Sequence, residues 1–160
     1  MSTVRVRCAP GSLLEGTVRY VESEYSFRFE IEGFDVLAER EGGLGRSSIT
    51  IGTLQVEVGT ETGAALFVWG LHPRANWRPG KLPEPVAGPG VVSFHTHLDP
   101  GASVQLAPVG AWPTVFDAAS GWMRVAPDDQ ADSLVAIATG TLLGHRDGVL
   151  HSVWLKPLIG

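Results

Sequence analysis

From Tyr25 to Glu32 the chain alternates strictly: Tyr25, Phe27, Phe29 and Ile31 are apolar or aromatic, while Ser26, Arg28, Glu30 and Glu32 are polar. A period of two sends successive side chains to opposite faces of an extended backbone, so such a run suits a strand that buries one face and wets the other. Leu54-Gln55-Val56-Glu57-Val58 repeats the pattern with its even positions inward. Residues 3–8, 17–21, 34–39, 47–51, 64–71, 91–97, 103–107, 121–126, 133–143 and 149–156 also read as strands, most of them closed by Gly, Pro or Asp-Gly. The expectation is one all-β domain over 1–160, an antiparallel barrel or two-sheet sandwich of roughly ten strands.

Two local signals refine this picture. Asp147-Gly148 stands between the apolar runs Leu142-Leu143-Gly144 and Val149-Leu150, which predicts a tight hairpin. The nineteen residues from His72 to Gly90 hold five prolines, at 73, 79, 83, 85 and 89, and therefore predict a long Pro-rich loop. Loops of that length commonly bind something, and Arg74, Trp77 and Arg78 form a candidate contact surface there. Alternatively Trp77 pins the loop to the body. At most two short helices are expected, at Pro113–Ser120 and at Asp128–Ala136, the second competing with the strand that begins near Ser133.

Hydrophobic residues make up 44% of the 160 positions and charged residues 18%. That suffices for a core and excludes a disordered chain, and no apolar run is long enough to predict a membrane span. Met1-Ser2-Thr3-Val4-Arg5-Val6-Arg7 lacks the apolar centre of a secretory signal, so a cytoplasmic protein is expected. The lone cysteine, Cys8, has no internal disulfide partner, and its parity with Val4 and Val6 predicts a small buried hydrophobe.

A net charge of −5 argues against a nucleic-acid partner. Residues 22–41 carry seven acids and two bases, so that stretch accounts for the whole imbalance. Glu30 and Glu32 are its strand-borne acids, and concentrated charge of this kind would steer a cationic protein. The alternative use of both is the wet face of a half-buried strand.

In Ser93-Phe94-His95-Thr96-His97-Leu98-Asp99, strand parity would put Ser93, His95, His97 and Asp99 on one face, the two histidine backbones roughly 7 Å apart. Two imidazoles so placed grip a divalent metal such as zinc when a third ligand joins them, and the metal then activates a water for hydrolysis. Asp99 is the candidate third ligand, with His72, His145, His151 and Asp117 as alternatives. His95-Thr96-His97 resembles the His-Ser/Thr-His-Pro motif of JAMM-type zinc isopeptidases over three residues. That resemblance implies an upstream catalytic acid, for which Glu39 or Glu41 would serve. Leu98 replaces the motif's proline, and Gln105 and Pro108 occupy the places of its Ser and Asp. Cupins share His-x-His, but Gly101 and Ala102 stand where their Glu falls. Neither family is assigned.

The sequence lacks a P-loop, a Rossmann glycine fingerprint, a Gly-x-Ser-x-Gly elbow and a Cys-x-x-Cys pair. Of five tryptophans, Trp69 and Trp154 read as core, whereas Trp112 and Trp122 flank 113–120 and would line a ligand cavity. These features favour a module that binds a protein or a small ligand, with a metal-dependent hydrolase as the alternative. Pairing with a second copy through an exposed edge strand is compatible with either.

Overall fold

In the computed structural model, which describes residues 4–160, the alternating segments are strands. In chain order the elements are β1 (Arg5–Pro10), β2 (Gly16–Val21), β3 (Ser26–Ile31), α1 (Phe34–Glu41), β4 (Arg46–Ile51), β5 (Leu54–Gly59), β6 (Ala65–Leu71), β7 (Trp77–Pro79) and β8 (Gly88–His95). They continue with β9 (Ser103–Ala107), β10 (Thr114–Phe116), β11 (Met123–Val125), β12 (Ser133–Ala138), β13 (Thr141–Arg146), β14 (Val149–Leu155) and β15 (Leu158–Ile159). The first position of the expected 3–8 strand, Thr3, and Met1 and Ser2 of the amino-terminal run lie outside the described residues. No helix among the described residues is long and apolar enough to cross a membrane.

The strands form two sheets. One runs β1-β8-β12-β13-β14-β11-β10-β7, and a further pairing of Arg5 with Val149 joins β1 to β14, closing a circuit of five strands. The other runs β15-β2-β3-β6-β5-β4-β9. The expectation of purely antiparallel pairing fails at four places: β7 with β10, β8 with β12, β4 with β9 and β2 with β15 are parallel. Each of these pairs joins strands distant in sequence, where hairpin geometry no longer dictates direction.

Both sheets feed one core. Val18, Phe27, Ile49, Val56 and Val68 from the seven-stranded sheet pack with Val92, Phe94, Met123, Leu143 and Val153 from the other. The predicted hairpin is present, with Arg146 opposite Val149. Its turn residues Asp147 (φ 53°) and Gly148 (φ 74°) both lie in the left-handed region that a right-twisted two-residue turn requires.

Residues 34–39 correct a strand expectation: they begin α1. Their parity suits a strand, yet the residues buried are Leu37 and Arg40, three apart, which is a helical spacing. Arg40 is only 4% exposed and its guanidinium donates to the carbonyls of Ile137, Ser12 and Gly90, so it ties α1 to β12, to β8 and to the β1–β2 connection. The helix expected at 113–120 is replaced by β10 and a turn, because the buried Asp117 carboxylate accepts the backbone N–H groups of Ala119 and Ser120 and that of Leu82. The backbone of 128–136 is likewise not helical, and β12 begins at Ser133.

The segment 72–90 is ordered by its neighbours rather than by its own backbone pattern. It holds a single 3-10 turn at Arg74–Asn76, β7 and the start of β8. Leu82, held by Asp117, packs with Leu142 and Trp154 in a second, smaller apolar cluster. Two further packing expectations are corrected. Trp69 is 37% exposed, on the face of β6 opposite the core-facing Val68. Cys8 is exposed, since beyond Val6, whose N–H still donates to Gly148, β1 is flanked by β8 alone.

Candidate functional site

Three connections meet at one end of the molecule: the β4–β5 turn, the β6–β7 connection and the β9–β10 connection. They frame a cleft of about 460 Å³ lined by residues of 51–53, 72–78 and 108–114, with Val125 of β11 beside them. Each connection has a local reason for its course. Gly52 (φ 60°) leads the two-residue turn between Ile51 and Leu54, and its N–H donates to Ala107 at 2.8 Å. Gly110 (φ 85°) lies in the turn closed by Ala111 N–H donating to the Pro108 carbonyl at 3.1 Å. β6 ends at Leu71, and Pro73, which has no N–H to donate to a ladder, follows it.

His72 is the polar centre of this cleft. Its N–H donates to Tyr25 O at 2.7 Å and its carbonyl accepts the Tyr20 hydroxyl at 3.0 Å, which fixes the backbone. Its imidazole Nε2 lies 2.6 Å from Thr114 Oγ1 and its ring packs near Phe27 and Trp77. Burial lowers its pKa to about 4, so the ring is neutral at pH 7. Trp112, 9% exposed, supplies an aromatic wall, and Val109 stands exposed at the rim. The lining contains no Asp or Glu, and Arg78 is its one charged residue.

The structure distributes the sequence-derived candidates unevenly. Arg78 and Trp77 both line the cleft, Trp77 with little exposed surface: it is 9% exposed, stacked on Phe27 at 5.7 Å and edge-on to Tyr20 at 4.7 Å. Its apolar ring is worth more inside the core than in water. Arg74 sits over that ring and pairs with Glu22. Trp112 lines the cleft, whereas Trp122 packs against Trp154 in the second cluster.

The His-x-His segment does not have the expected geometry. Strand β8 ends at His95, so parity no longer places His97 and Asp99 beside it. His97 and Asp99 are 85% and 66% exposed and pair with each other at 3.2 Å. His95 lines a separate depression of about 340 Å³ with Glu61 and Thr62, which His97 and Asp99 do not line. Among the described residues no three His, Cys, Asp or Glu side chains are grouped to hold a metal ion. Asp117 is engaged with backbone N–H groups, and His72 with Thr114.

The acidic stretch is largely neutralised. Glu22 pairs with Arg74, Glu24 with Arg28, Glu30 with Arg19 and Glu41 with Arg46. Glu32, Asp35 and Glu39 are exposed and form no ion pair among the described residues. Exposed pairs of this kind contribute little to stability, but they reduce the local field of this stretch.

Sequence reasoning missed a second titratable cluster. His151 lies between Asp132, at 2.7 Å, and Asp128, at 3.3 Å, with the Asp132 carboxylate 3% exposed and Arg146 3.9 Å away. Asp128 is held below the usual carboxylate range by the Gln130 N–H and by His151. Nothing local in the sequence brings the two aspartates to His151.

No protein-family model matches the chain, and neither does any curated protein or solved structure compared with it.

Proposed function

We propose that this chain is a small-molecule binding module whose ligand occupies the cleft framed by residues 51–53, 72–78 and 108–114. One observation carries the reading: a concavity of about 460 Å³ is walled by Trp112 and prolines and has a desolvated, neutral His72 at its polar centre. Clefts of a few hundred Å³ with mostly apolar walls and a few fixed polar groups are the usual form of small-ligand sites. With Nε2 engaged by Thr114, a neutral imidazole keeps Nδ1 for one further hydrogen bond, as donor or acceptor according to its tautomer.

The same chemistry favours binding over catalysis. A histidine whose pKa is about 4 is a weak base at neutral pH, and no carboxylate lines the cleft to orient it. The two sheets, with inner faces sharing one core, are read as the layers of a sandwich, and the exposed thiol of Cys8 fits a reducing, cytoplasmic setting.

The test is an NMR screen of small aromatic fragments against the labelled protein. Fragments that bind are expected to shift the His72 ring and Trp112 indole resonances together, and Trp112→Ala is expected to weaken them about tenfold by removing an aromatic wall. A diverse set that leaves both resonances unmoved at millimolar concentration would refute the reading.

A further inference from the structure

We infer that the cleft takes an amphipathic anion: a small molecule with a flat apolar body and one carboxylate or phosphate group, the anionic end at Arg78. This rests on the reading of the cleft as a binding site and adds the chemical class of its ligand.

The argument begins with charge. The protein carries −5 overall, yet the cleft lining holds no carboxylate and one guanidinium. Arg19, Arg28, Arg46 and Arg74 are each paired with a glutamate, whereas Arg78 forms no ion pair among the described residues. Arg78 lies on β7, which ends the eight-stranded sheet, and its neighbour across the parallel ladder is Val115. A guanidinium that the fold leaves unneutralised beside a concavity offers a planar fork to a carboxylate or phosphate.

The rest of the lining supports the same class. Asn76 brings a side-chain amide donor, the Thr53 and Thr114 hydroxyls being engaged with the Leu71 carbonyl and with His72, and neutral His72 adds no charge to repel or attract. Ile51, Pro108, Val109 and Trp112 supply apolar surface that a charged group alone would leave unused. A cationic ligand would meet Arg78 without a counter-ion.

Benzoate and benzyl alcohol, matched in size and differing in charge, serve as probes, titrated into wild type and Arg78→Gln at low salt with His72 and Trp112 resonances as the readout. Benzoate is expected to bind about tenfold more tightly than benzyl alcohol, the value of a charge-assisted pair, and Arg78→Gln to remove that difference while leaving the alcohol unaffected. Phenyl phosphate in place of benzoate distinguishes the two anionic groups. Equal affinity of acid and alcohol, or a preference for the acid that survives Arg78→Gln, overturns the anionic class and leaves the cleft as a binding site. If neither probe nor any fragment of the wider screen moves the cleft resonances, the binding reading fails with it. Arg78 is exposed, and unchanged circular dichroism and melting of Arg78→Gln separate loss of binding from loss of fold.

Discussion

At the scale of single residues, His72 couples the cleft to stability. Its imidazole is buried neutral with a pKa of about 4, against about 6.5 in an unfolded chain. The folded state therefore binds fewer protons than the unfolded state between those values. The contribution of His72 is complete above pH 6.5 and is lost as pH falls toward 4, by about 2–3 kcal/mol. His72→Gln has no such proton to take up, so its urea-unfolding stability should fall less than wild type's between pH 7 and pH 4. Asp117 and Asp128 also have lowered pKa values and contribute to acid sensitivity in both proteins, so the difference between the two profiles isolates His72. Parallel profiles would show that the ring is not desolvated in solution.

At the scale of elements, α1 is held less by its apolar face than by one side chain. The guanidinium of Arg40 donates to three backbone carbonyls from three segments. Removing it strips a charged donor from the buried Gly90 carbonyl and from those of Ile137 and Ser12, of which Ile137 keeps the Leu14 N–H, and losing charged hydrogen bonds in a buried setting costs more than losing a surface contact. Arg40→Met is expected to lower unfolding stability by about 3 kcal/mol, and Arg40→Lys by less, since one ammonium reaches fewer acceptors than the fork. Guanidinium-chloride titration reads both, and an Arg40→Met variant as stable as wild type would contradict the tie. The strands that border this helix were legible because alternation in β3 and β5 has no helical rendering. The helix itself was not, because Phe34, Val36 and Ala38 satisfy a period of two while Leu37 and Arg40 satisfy a period near three and a half, and Arg40 does not look apolar.

At the scale of the whole molecule, the two sheets share a core and the segment 80–87 is pinned to the smaller cluster through Leu82. Neither sheet can release its inner face without exposing the other's. Thermal unfolding followed by far-ultraviolet circular dichroism and by tryptophan fluorescence should therefore give one coincident transition. Two separated transitions would mean that the sheets unfold as independent units. The cleft belongs to this scale as well. Its walls come from residues 51–53, 72–78 and 108–114, which no local pattern relates, and only the packing of the two sheets on one core brings them together. Trp112 as a cavity wall and Arg78 as a contact residue were legible as types, but His72 was visible only as a spare histidine.

What the sequence determined by itself was most of the longer strands and the last hairpin, since side-chain alternation and the positive φ demanded at Asp147-Gly148 are local constraints; the expected strand 133–143 is broken by a turn into β12 and β13. What only the tertiary structure decided was direction, neutralisation and depth. Parallel pairing of distant strands, the capture of Glu22 and Glu30 by Arg74 and Arg19, and the burial that keeps His72 uncharged all depend on residues far apart in the chain. Their energies exist only once the backbone has brought them within a few ångströms.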